Sequence, residues 1–430
     1  VAHLNTINSA TSSLVTATAV TAITGTAADI ATLMGEEADS GNKVNLDGDF
    51  LVTIDAGSVT AADLNTISAK TSGTITATGA TTITGTASAV AAMVGDSEIS
   101  VAANYAVTIA SGSAAASDLN TINTDTAGLV TATSVTTITG TASVIATLMS
   151  NEGDSGDKVN LDGDFTVTVS AGSVAAADLN TINSKTSGLI TATSVTNLTG
   201  TASAMATLMG QEGDSGNKVN LDGNFTATVD AGSVAADDLN TISAKTSGTI
   251  TATAATTITG TAATLASMVG DGEISVDGDY LVTLTGTAAA ADIITIYGDT
   301  SGHITASGVT ALTGTAANVA TVVGRDASSG SNKINLDGDY TVTLTGTAAA
   351  ADVITIYGNT SGHITATGVT AVTGTAANVA TLVGRDASSG SNKINLDGDY
   401  TVTLTGSTAA ADVITIYGNT SGHITGTGIT

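Results

Sequence analysis

The chain has 430 residues, of which 42% are hydrophobic and only 2% aromatic, with no cysteine, proline or tryptophan. A formal net charge of -28 argues against nucleic acid as a partner, because neutralising phosphates requires clustered lysine and arginine. The composition also excludes disulfides and thiolate chemistry, and no apolar segment reaches the length of a membrane span.

A repeat runs along nearly the whole chain. One position is occupied in turn by Leu4, Leu64, Leu119, Leu179, Leu239, Ile293, Val353 and Val413, at intervals of 60 residues, or of 54 to 55 where a loop is missing. Aligning 369–384 with 402–418 shows a half-length repeat, so the elementary coil has about 30 residues. This period is typical of a solenoid, in which each coil buries its apolar face against its neighbours.

The repeats fall into two families that keep the same phase. Residues 1–286 carry the pattern Asp-Leu-Asn-Thr-Ile, and residues 287–430 carry Ile-Thr-Ile-Tyr-Gly. Two members of the first family, 59–113 and 234–287, lack the loop Asp-Ser-Gly-Asn-Lys. We therefore predict one continuous solenoid over 1–430.

Each coil contains a strand and a second element of ambiguous type. At 400–405, Tyr, Val and Leu alternate with threonine, the period of a strand with one buried face. Residues 26–29, Thr-Ala-Ala-Asp, have the form of a capping box and predict a helix start. Residues 413–417, Val-Ile-Thr-Ile-Tyr, predict a strand instead.

These elements predict a repeat solenoid that is mainly β, a parallel β-solenoid with short helical turns in some coils. The alternative is an α/β solenoid similar to leucine-rich repeats. The absence of proline fits strands, because nearly every backbone N–H is needed in a hydrogen-bonded ladder.

The aromatic and basic residues fall into columns. One aromatic column contains Phe50, Tyr105, Phe165, Phe225, Tyr280, Tyr340 and Tyr400, and a second contains Tyr297, Tyr357 and Tyr417. The basic columns are Lys43, Lys158, Lys218, Lys333 and Lys393; Lys70, Lys185 and Lys245; Arg325 and Arg385. We interpret the aromatic residues as packing ladders, and the basic residues as partners of acidic residues in neighbouring coils.

The strongest candidate for a ligand site is the segment Asn-Leu-Asp-Gly-Asp. Its oxygen-bearing residues at i, i+2 and i+4 surround a glycine, a spacing that could coordinate Ca²⁺. The candidate ligands are Asn45, Asp47, Asp49, Asp162, Asp164, Asp222, Asp277, Asp279, Asp337, Asp339, Asp397 and Asp399. The bidentate glutamate of an EF-hand is missing, and Asn224 replaces one aspartate. An Asp-Gly turn without metal is the alternative, and no cofactor is required.

No segment of the chain predicts a catalytic site. His303, His363 and His423 recur at 60-residue intervals beside serines, which could suggest a base and a nucleophile. Leu14 and Thr74 fill the same position in other coils, as expected for a packing or rim position. We therefore expect no enzymatic activity.

Thr-x-Thr pairs such as Thr401 and Thr403 could form outward-facing hydroxyl arrays. A regular array of hydroxyls on a flat sheet could bind glycans or ice. Threonine is also a common residue on the solvent face of strands, which is the simpler interpretation.

Two segments that alternate along the chain carry a resemblance. They are Val195-Thr-Asn-Leu-Thr-Gly-Thr-Ala-Ser and Ala235-Ala-Asp-Asp-Leu-Asn-Thr-Ile. The chain resembles the Ala/Thr/Gly/Asp-rich tandem repeats of giant surface proteins, of the adhesin or matrix type, in aquatic bacteria, especially cyanobacteria. The resemblance implies an extracellular or cell-surface location and a structural or adhesive role, and it brings no catalytic residues.

The sequence thus predicts a non-enzymatic structural extracellular protein, the repeat segment of a bacterial surface filament, matrix fibre or adhesin stalk. Neither end shows an obvious capping coil, so either the chain continues beyond the given sequence or copies stack end to end, and we predict head-to-tail association. The alternative is a ligand-binding module, a calcium-dependent glycan-binding or ice-binding adhesin, with glycans or a cell surface as partners.

Overall fold

A computed structural model describes residues 1–37, 43–152, 159–212, 219–326, 333–386 and 394–427. Helices and short strands alternate along these residues, and the paired strands run parallel. The fold is a repeating α/β solenoid, which confirms the predicted repeat solenoid. Helices recur in coil after coil, so in this respect the fold matches the α/β alternative and not a β-solenoid with occasional helical turns.

Fifteen helices of 8 to 10 residues lie in the described part of the chain. They are α1 Ala2–Ala10, α2 Ala27–Glu36, α3 Ala61–Ser68, α4 Ala87–Val94, α5 Ala116–Asp125, α6 Ala142–Ser150, α7 Ala176–Lys185, α8 Ala202–Met209, α9 Ala236–Ser243, α10 Ala262–Val269, α11 Ala290–Asp299, α12 Ala316–Val323, α13 Ala350–Asn359, α14 Ala376–Val383 and α15 Ala410–Tyr417.

The strands in the described residues number 31. In the first half of the chain they are β1 Val15–Thr16, β2 Ala22–Gly25, β3 Val44–Asn45, β4 Leu51–Ile54, β5 Gly57–Thr60, β6 Ile75–Ala77, β7 Ala80–Gly85, β8 Ile99–Val101, β9 Ala106–Ile109, β10 Gly112–Ala115, β11 Val130–Ala132, β12 Val135–Gly140, β13 Val159–Leu161, β14 Thr166–Val169, β15 Gly172–Ala175 and β16 Ile190–Ala192. They continue with β17 Val195–Gly200, β18 Val219–Leu221, β19 Thr226–Val229, β20 Gly232–Ala235, β21 Ile250–Ala252, β22 Ala255–Gly260, β23 Ile274–Val276, β24 Leu281–Ala289, β25 Ile304–Gly314, β26 Ile334–Leu336, β27 Thr341–Ala349, β28 Ile364–Thr375, β29 Ile394–Leu396, β30 Thr401–Thr405 and β31 Ile424–Thr427.

The chain divides into two compact units. The first unit is Val1–Leu198 with Gly210–Asp222, and the second is Thr199–Met209 with Gly223–Thr430. The change of repeat family at 286/287 lies inside the second unit. A single solenoid over 1–430 stays a prediction.

The sheets of each unit follow the order of the coils. In the first unit the strand orders are β1-β3, β2-β4-β6-β8, β5-β7-β9-β11-β13 and β10-β12-β14-β16-β18. In the second unit they are β19-β21-β23 and β20-β22-β24-β25-β27-β28-β30-β31, with β26 paired to β25 and β29 to β28.

The strands alternate buried and outward residues in register. Val167 pairs with Ile190, and both are buried, whereas the next pair, Thr168 with Thr191, points outward. The strand predicted at 400–405 shows the same alternation and is confirmed. The β-branched side chains of valine, isoleucine and threonine suit this pleated, half-buried surface.

Two kinds of helix alternate within each compact unit. Even-numbered helices begin after a threonine whose hydroxyl accepts an N–H of the first turn, as Thr141 accepts from Val144 at 3.4 Å. Thr26 accepts from Asp29 in the same way, so the helix start predicted at 26–29 is confirmed. Odd-numbered helices from α5 onward follow an alanine and carry aspartate in their first turn, where the helix dipole favours negative charge.

The prediction of a strand at 413–417 is wrong, because these residues belong to α15. The equivalent helix α13 shows the reason: Ala350, Val353 and Ile356, spaced by three residues, are fully buried. Burial of one helix face outweighs the weak preference of valine, isoleucine and threonine for strands.

A buried threonine after each odd-numbered helix from α3 onward bonds to the aromatic residue that precedes the strands leading into that helix. The Thr186 hydroxyl donates to the carbonyl oxygen of Phe165 at 2.5 Å and accepts the N–H of Gly188 at 2.9 Å. A Cβ on Gly188 would lie against the Phe165 carbonyl oxygen, closer than real side chains approach. The same link joins Thr71 to Phe50, Thr126 to Tyr105, Thr246 to Phe225, Thr300 to Tyr280, Thr360 to Tyr340 and Thr420 to Tyr400, at 2.5 to 2.6 Å.

The aromatic rings of this column are at most 1% exposed, which confirms their predicted packing role. Each aromatic residue therefore packs its ring in the core and accepts the threonine hydroxyl of the next coil at its backbone carbonyl. We call this arrangement of aromatic carbonyl, threonine and glycine the Thr-x-Gly link.

An asparagine adds a second tie between helices of the first repeat family. The Asn120 side chain donates to the Val144 carbonyl of the next helix at 3.0 Å, and Asn65 donates to Ala89 at 2.9 Å. In the second family the position is occupied by isoleucine, as at the half-buried Ile354. The helix layer therefore changes from polar to apolar contacts between the families.

Within the described ranges, no helix combines the length and apolar character needed to cross a membrane.

Substituting the glycine of one Thr-x-Gly link should destabilise the fold far more than substituting a glycine in an open turn. We expect Gly188→Ala to lower the free energy of unfolding by about 2 kcal/mol, because the new Cβ displaces the Phe165 carbonyl. The matched control is Gly163→Ala, because a Cβ there would meet no atom within 4 Å, and its effect should stay within ~0.5 kcal/mol. Urea denaturation followed by circular dichroism measures both, and equal effects would contradict the link.

Candidate functional site

The predicted calcium ligands lie at exposed turns. All eleven candidate aspartates are exposed, in turns that connect two strands ahead of an odd-numbered helix. Asp47 accepts the N–H of Gly48 at 3.1 Å, and Asp277 accepts that of Gly278 at 2.9 Å. Asn45 lies in β3, beside Thr16 of β1. The carboxylates that make these bonds stabilise the Asp-Gly turn itself.

The turns of successive repeats are separated by an intervening coil of different chemistry. Ser187 donates its backbone N–H to the Gly163 carbonyl at 2.7 Å, so a serine bend and not a second acidic turn covers the Asp162 turn. Equivalent turns two coils apart are about 10 Å from each other on strand spacing. Among the described residues, no three Asp, Glu, His or Cys side chains are close enough to hold a metal ion. The calcium site stays a prediction.

Calcium binding at these turns would make the melting temperature depend on calcium. A protein whose folded state binds the ion should melt higher with millimolar CaCl₂ and lower with EDTA, because ligands of the folded state stabilise it. Asp162→Asn with Asp164→Asn should reduce the shift, whereas Asp178→Asn, outside the turns, should not. Identical melting curves with CaCl₂ and with EDTA would contradict calcium binding and support an Asp-Gly turn without metal.

The three recurring histidines lie on the exposed side of a strand start. The rings of His303, His363 and His423 are each within 3.1 to 3.3 Å of the hydroxyl of the threonine two residues further on. The Ser421 hydroxyl donates to the Gly398 carbonyl instead of the His423 ring. The absence of enzymatic activity stays an expectation.

Ion pairs join the ends of consecutive helices in the first family. The Lys70 ammonium lies 3.6 Å from the Glu37 carboxylate, and Lys185 lies 3.5 Å from Glu152. Each pair connects the end of an odd-numbered helix with the end of the preceding even-numbered helix. Pairing of basic residues between coils is confirmed for these two lysines. Because the pairs are partly exposed, each contributes at most about 1 kcal/mol.

The second family uses cation–π contacts at its helix ends. The Arg325 guanidinium lies 4.0 Å from the ring centre of Tyr297, and Arg385 lies 4.3 Å from that of Tyr357. Lys333 lies 4.9 Å from the same Tyr297 ring and donates to the Thr300 carbonyl at 2.6 Å. These basic residues therefore contact tyrosine and a carbonyl oxygen. Acidic partners for them stay a prediction.

The residue types at two positions of the repeat change together. Phenylalanine occupies the first aromatic column where a lysine stands at or just after the end of the following odd-numbered helix. Tyrosine occupies the column where aspartate or asparagine stands there. The pairs are Phe50 with Lys70, Phe165 with Lys185, Phe225 with Lys245, Tyr105 with Asp125, Tyr280 with Asp299, Tyr340 with Asn359 and Tyr400 with Asn419.

Hydrogen bonds explain the pairing of tyrosine with aspartate at these two positions. The Tyr105 hydroxyl donates to the Asp125 carboxylate at 2.7 Å, and Tyr280 donates to Asp299 at 2.8 Å. Tyr340 donates to the backbone carbonyl oxygen of Asn359 at 3.1 Å, a bond that does not depend on the asparagine side chain. The sequence contained this signal, but only the structure shows that the two positions touch.

Burial keeps the tyrosines of this column protonated. Burial, with the nearby Asp386 carboxylate, raises the pKa of Tyr400 to about 12. Burial followed by the Asp125 hydrogen bond raises the pKa of Tyr105. The pKa of Tyr280 and that of Tyr340 are raised as well, again chiefly by burial.

Alkaline pH should therefore destabilise the fold. An unfolded tyrosine ionises near pH 10, so the folded chain holds more protons above that pH, and the free energy of unfolding falls as the pH rises from about 10 towards 12. Replacing Tyr105, Tyr280, Tyr340 and Tyr400 by phenylalanine, the residue found at Phe165, should flatten this dependence. Melting temperature and tyrosinate absorbance across this range measure it. An unchanged slope in the variant would contradict the assignment.

The outward face of the sheets carries threonine and no charge. Across the described residues, none of the 31 strands contains Asp, Glu, Lys, Arg or His. Thr137 and Thr166, on neighbouring strands, bring their hydroxyls to 2.9 Å. The predicted hydroxyl arrays are therefore present as ladders, and whether they bind a ligand stays a prediction.

Comparisons with known proteins leave the function open. No protein-family model matches the chain, and no curated protein matches it. Similar solved structures include the Arabidopsis receptor kinase HAESA in complex with the peptide hormone IDA and the co-receptor SERK1, at 11% identity, covering 89% of this chain and 74% of that chain, with a TM-score of 0.15. Another is the HAESA leucine-rich-repeat ectodomain with an N-terminally extended IDA peptide, at 10% identity, 93% and 80% coverage and a TM-score of 0.14. Similarity at this level carries no argument about function.

Proposed function

We propose that the chain is a non-enzymatic structural protein, the repeat segment of an extracellular bacterial surface filament, matrix fibre or adhesin stalk. The observation that carries this proposal is the Thr-x-Gly link, which recurs seven times with the same donor, acceptor and glycine. Residue types around it change between families, whereas the link does not. What recurs most strictly in this chain is the bond that fastens every second coil to the coil after it.

Charge and composition support the same proposal. Carboxylates lie in exposed turns and helix starts, where water and salt screen them, so an acidic surface of this kind stays soluble. The resemblance to tandem-repeat surface proteins supports the extracellular location. A ligand-binding adhesin is the second candidate, and the observation that favours it is the outward threonine ladder.

End-to-end association with other copies is part of this proposal. Ile354 and Tyr357 of α13 are half-buried by neighbouring coils, and Ile414 and Tyr417 hold the same positions in α15. We propose that a coil of another copy packs on Ile414 and Tyr417 in the same way.

Electron microscopy and light scattering of the purified chain test the proposal. We expect particles that lengthen with protein concentration, and we expect Ile414→Asp with Tyr417→Asp to shorten them, because two charges would be buried at the contact. The matched control is Thr295→Asp with Thr355→Asp, which adds the same charge on exposed helix positions and should change nothing. Monomers at every concentration would contradict end-to-end association, and turnover of plant or algal polysaccharides would contradict the structural role.

A further inference from the structure

The dipeptide Asp-Gly occurs seven times in this chain, and six of the seven occupy one position of the repeat. The six are Asp47-Gly48, Asp162-Gly163, Asp222-Gly223, Asp277-Gly278, Asp337-Gly338 and Asp397-Gly398. The seventh, Asp271-Gly272, follows α10. Asp271 and Asp277 therefore begin the same dipeptide in two different surroundings of one coil.

An Asp-Gly pair can react with itself. The glycine nitrogen attacks the side-chain carboxyl carbon of the aspartate, a C–N bond forms, and the amide proton and the carboxyl hydroxyl leave as one water molecule. Water then opens the succinimide ring at either of its carbonyl carbons, which gives back aspartate or gives isoaspartate. Water is the only co-reactant, and glycine favours the attack because it has no side chain to hinder its nitrogen.

The structure places the two reacting groups in contact at Asp277. The Gly278 N–H donates to the Asp277 carboxylate at 2.9 Å, so the attacking nitrogen already lies against the group that it attacks. Both residues are exposed, and a Cβ on Gly278 would meet no atom within 4 Å. The pair can therefore rotate into the ring geometry without displacing a neighbour. Asp47 and Gly48 have the same arrangement, with the N–H donating to the carboxylate at 3.1 Å.

The surroundings of Asp271 hold its carboxylate in place. The Ser243 hydroxyl donates to one carboxylate oxygen at 2.6 Å, and the Glu273 N–H donates to the other at 3.0 Å. Burial raises the pKa of Asp271, but the hydrogen bonds from Ser243 and Glu273 outweigh burial and lower that pKa. Succinimide forms from the neutral carboxyl, because a carboxylate resists attack by a nucleophile. The hydrogen bonds at Asp271 therefore oppose the reaction that the turn at Asp277 permits.

We propose that the exposed Asp-Gly turns of the repeat are sites of isoaspartate formation, whereas Asp271 is protected from it. Asp47 and Asp277 react first, because the glycine N–H already contacts the carboxylate there. The modification is spontaneous and needs no enzyme, metal or oxidant. It does not depend on whether the chain has a structural role or binds a ligand.

Isoaspartate at position 277 would disturb the adjacent Thr-x-Gly link. The main chain would then run through the former side-chain carbon, and the original backbone carbonyl of Asp277 would become a carboxylate. That carbonyl accepts the Tyr280 N–H at 3.4 Å, and the Gly278 carbonyl accepts the Ser301 N–H at 2.7 Å. Thr300, beside Ser301, donates to the Tyr280 carbonyl at 2.6 Å. The modified chain should therefore melt at a lower temperature than the fresh chain.

Peptide mapping of the folded protein after long incubation tests the proposal. The protein is kept at neutral pH in oxygen-labelled water with EDTA, so that no divalent cation holds the carboxylates, and is then digested in ordinary water. One tryptic peptide, 246–325, contains both Asp271 and Asp277, so each is the internal standard of the other. A carboxyl that has passed through succinimide carries one heavy oxygen, which electron-transfer fragmentation locates. We expect roughly tenfold more label at Asp277 than at Asp271, because hydrogen bonds keep the Asp271 carboxyl charged.

Three variants separate the effect of the structure from that of the dipeptide. Ser243→Ala removes a hydrogen bond from Asp271 and should raise the label there several-fold. The matched control is Ser275→Ala, an exposed position of β23 between the two pairs, which should change neither site. Gly278→Ala should reduce the label at Asp277, because a methyl group hinders the attacking nitrogen, and the open space around Gly278 leaves the fold intact. Melting temperatures before incubation confirm that each variant folds.

The unfolded chain supplies the last control. In guanidinium chloride neither carboxylate keeps its folded contacts, so Asp271 and Asp277 should gain label at similar rates. Equal labelling of the two positions in the folded protein, or no label at Asp277, would overturn the proposal. A ratio that is the same in the folded and the unfolded chain would overturn it as well, because the flanking sequence and not the structure would then set the rate.

Discussion

The fold depends on one buried hydrogen bond, from a threonine hydroxyl to the backbone carbonyl of an aromatic residue in the preceding coil. In a solenoid each coil can bury its apolar face only against its neighbours, so the junction between coils must be both close and satisfied. At Thr186 the hydroxyl satisfies the Phe165 carbonyl and the Gly188 N–H together, and the missing side chain of Gly188 allows the approach. A buried polar group left without such a partner would cost about 1 to 3 kcal/mol at each junction that carries the link, which is every second one.

Other contacts at the junctions vary around this constant link. The first family uses lysine and glutamate, as in Lys185 with Glu152, and an asparagine between helices, as in Asn120 with Val144. The second family replaces them with an arginine on tyrosine and with isoleucine. Each substitution keeps a compatible partner across the junction, because a hydroxyl meets a carboxylate or carbonyl oxygen, and a lysine follows a ring without a hydroxyl. The chemistry of the surface can therefore drift while the stacking is kept.

The sequence predicted the solenoid, the strands and the buried aromatic column because these follow from period and hydrophobicity within one coil. The sequence predicted a strand at 413–417 where the structure has a helix. The β-branched residues there locally favour a strand, but burial of one helix face between coils outweighs this preference. The Thr-x-Gly link escaped prediction because its partners are 20 or 21 residues apart and threonine is common throughout the chain. The aspartates of the calcium hypothesis were correctly placed at turns, but their spacing along the chain does not reveal which oxygens approach each other.

The short span of the link also bears on how such a gene can change length. Each link joins the aromatic residue of one repeat to the threonine of the next, as Tyr340 of 288–347 accepts from Thr360 of 348–407. Because every repeat supplies one partner of each kind, copying or losing a whole repeat leaves no threonine without its carbonyl. Recombination between repeats is then structurally neutral wherever it preserves phase. The near identity of 288–347 and 348–407 fits a recent duplication of this kind. Length is therefore a property that this architecture can adjust by counting repeats, without redesigning any junction.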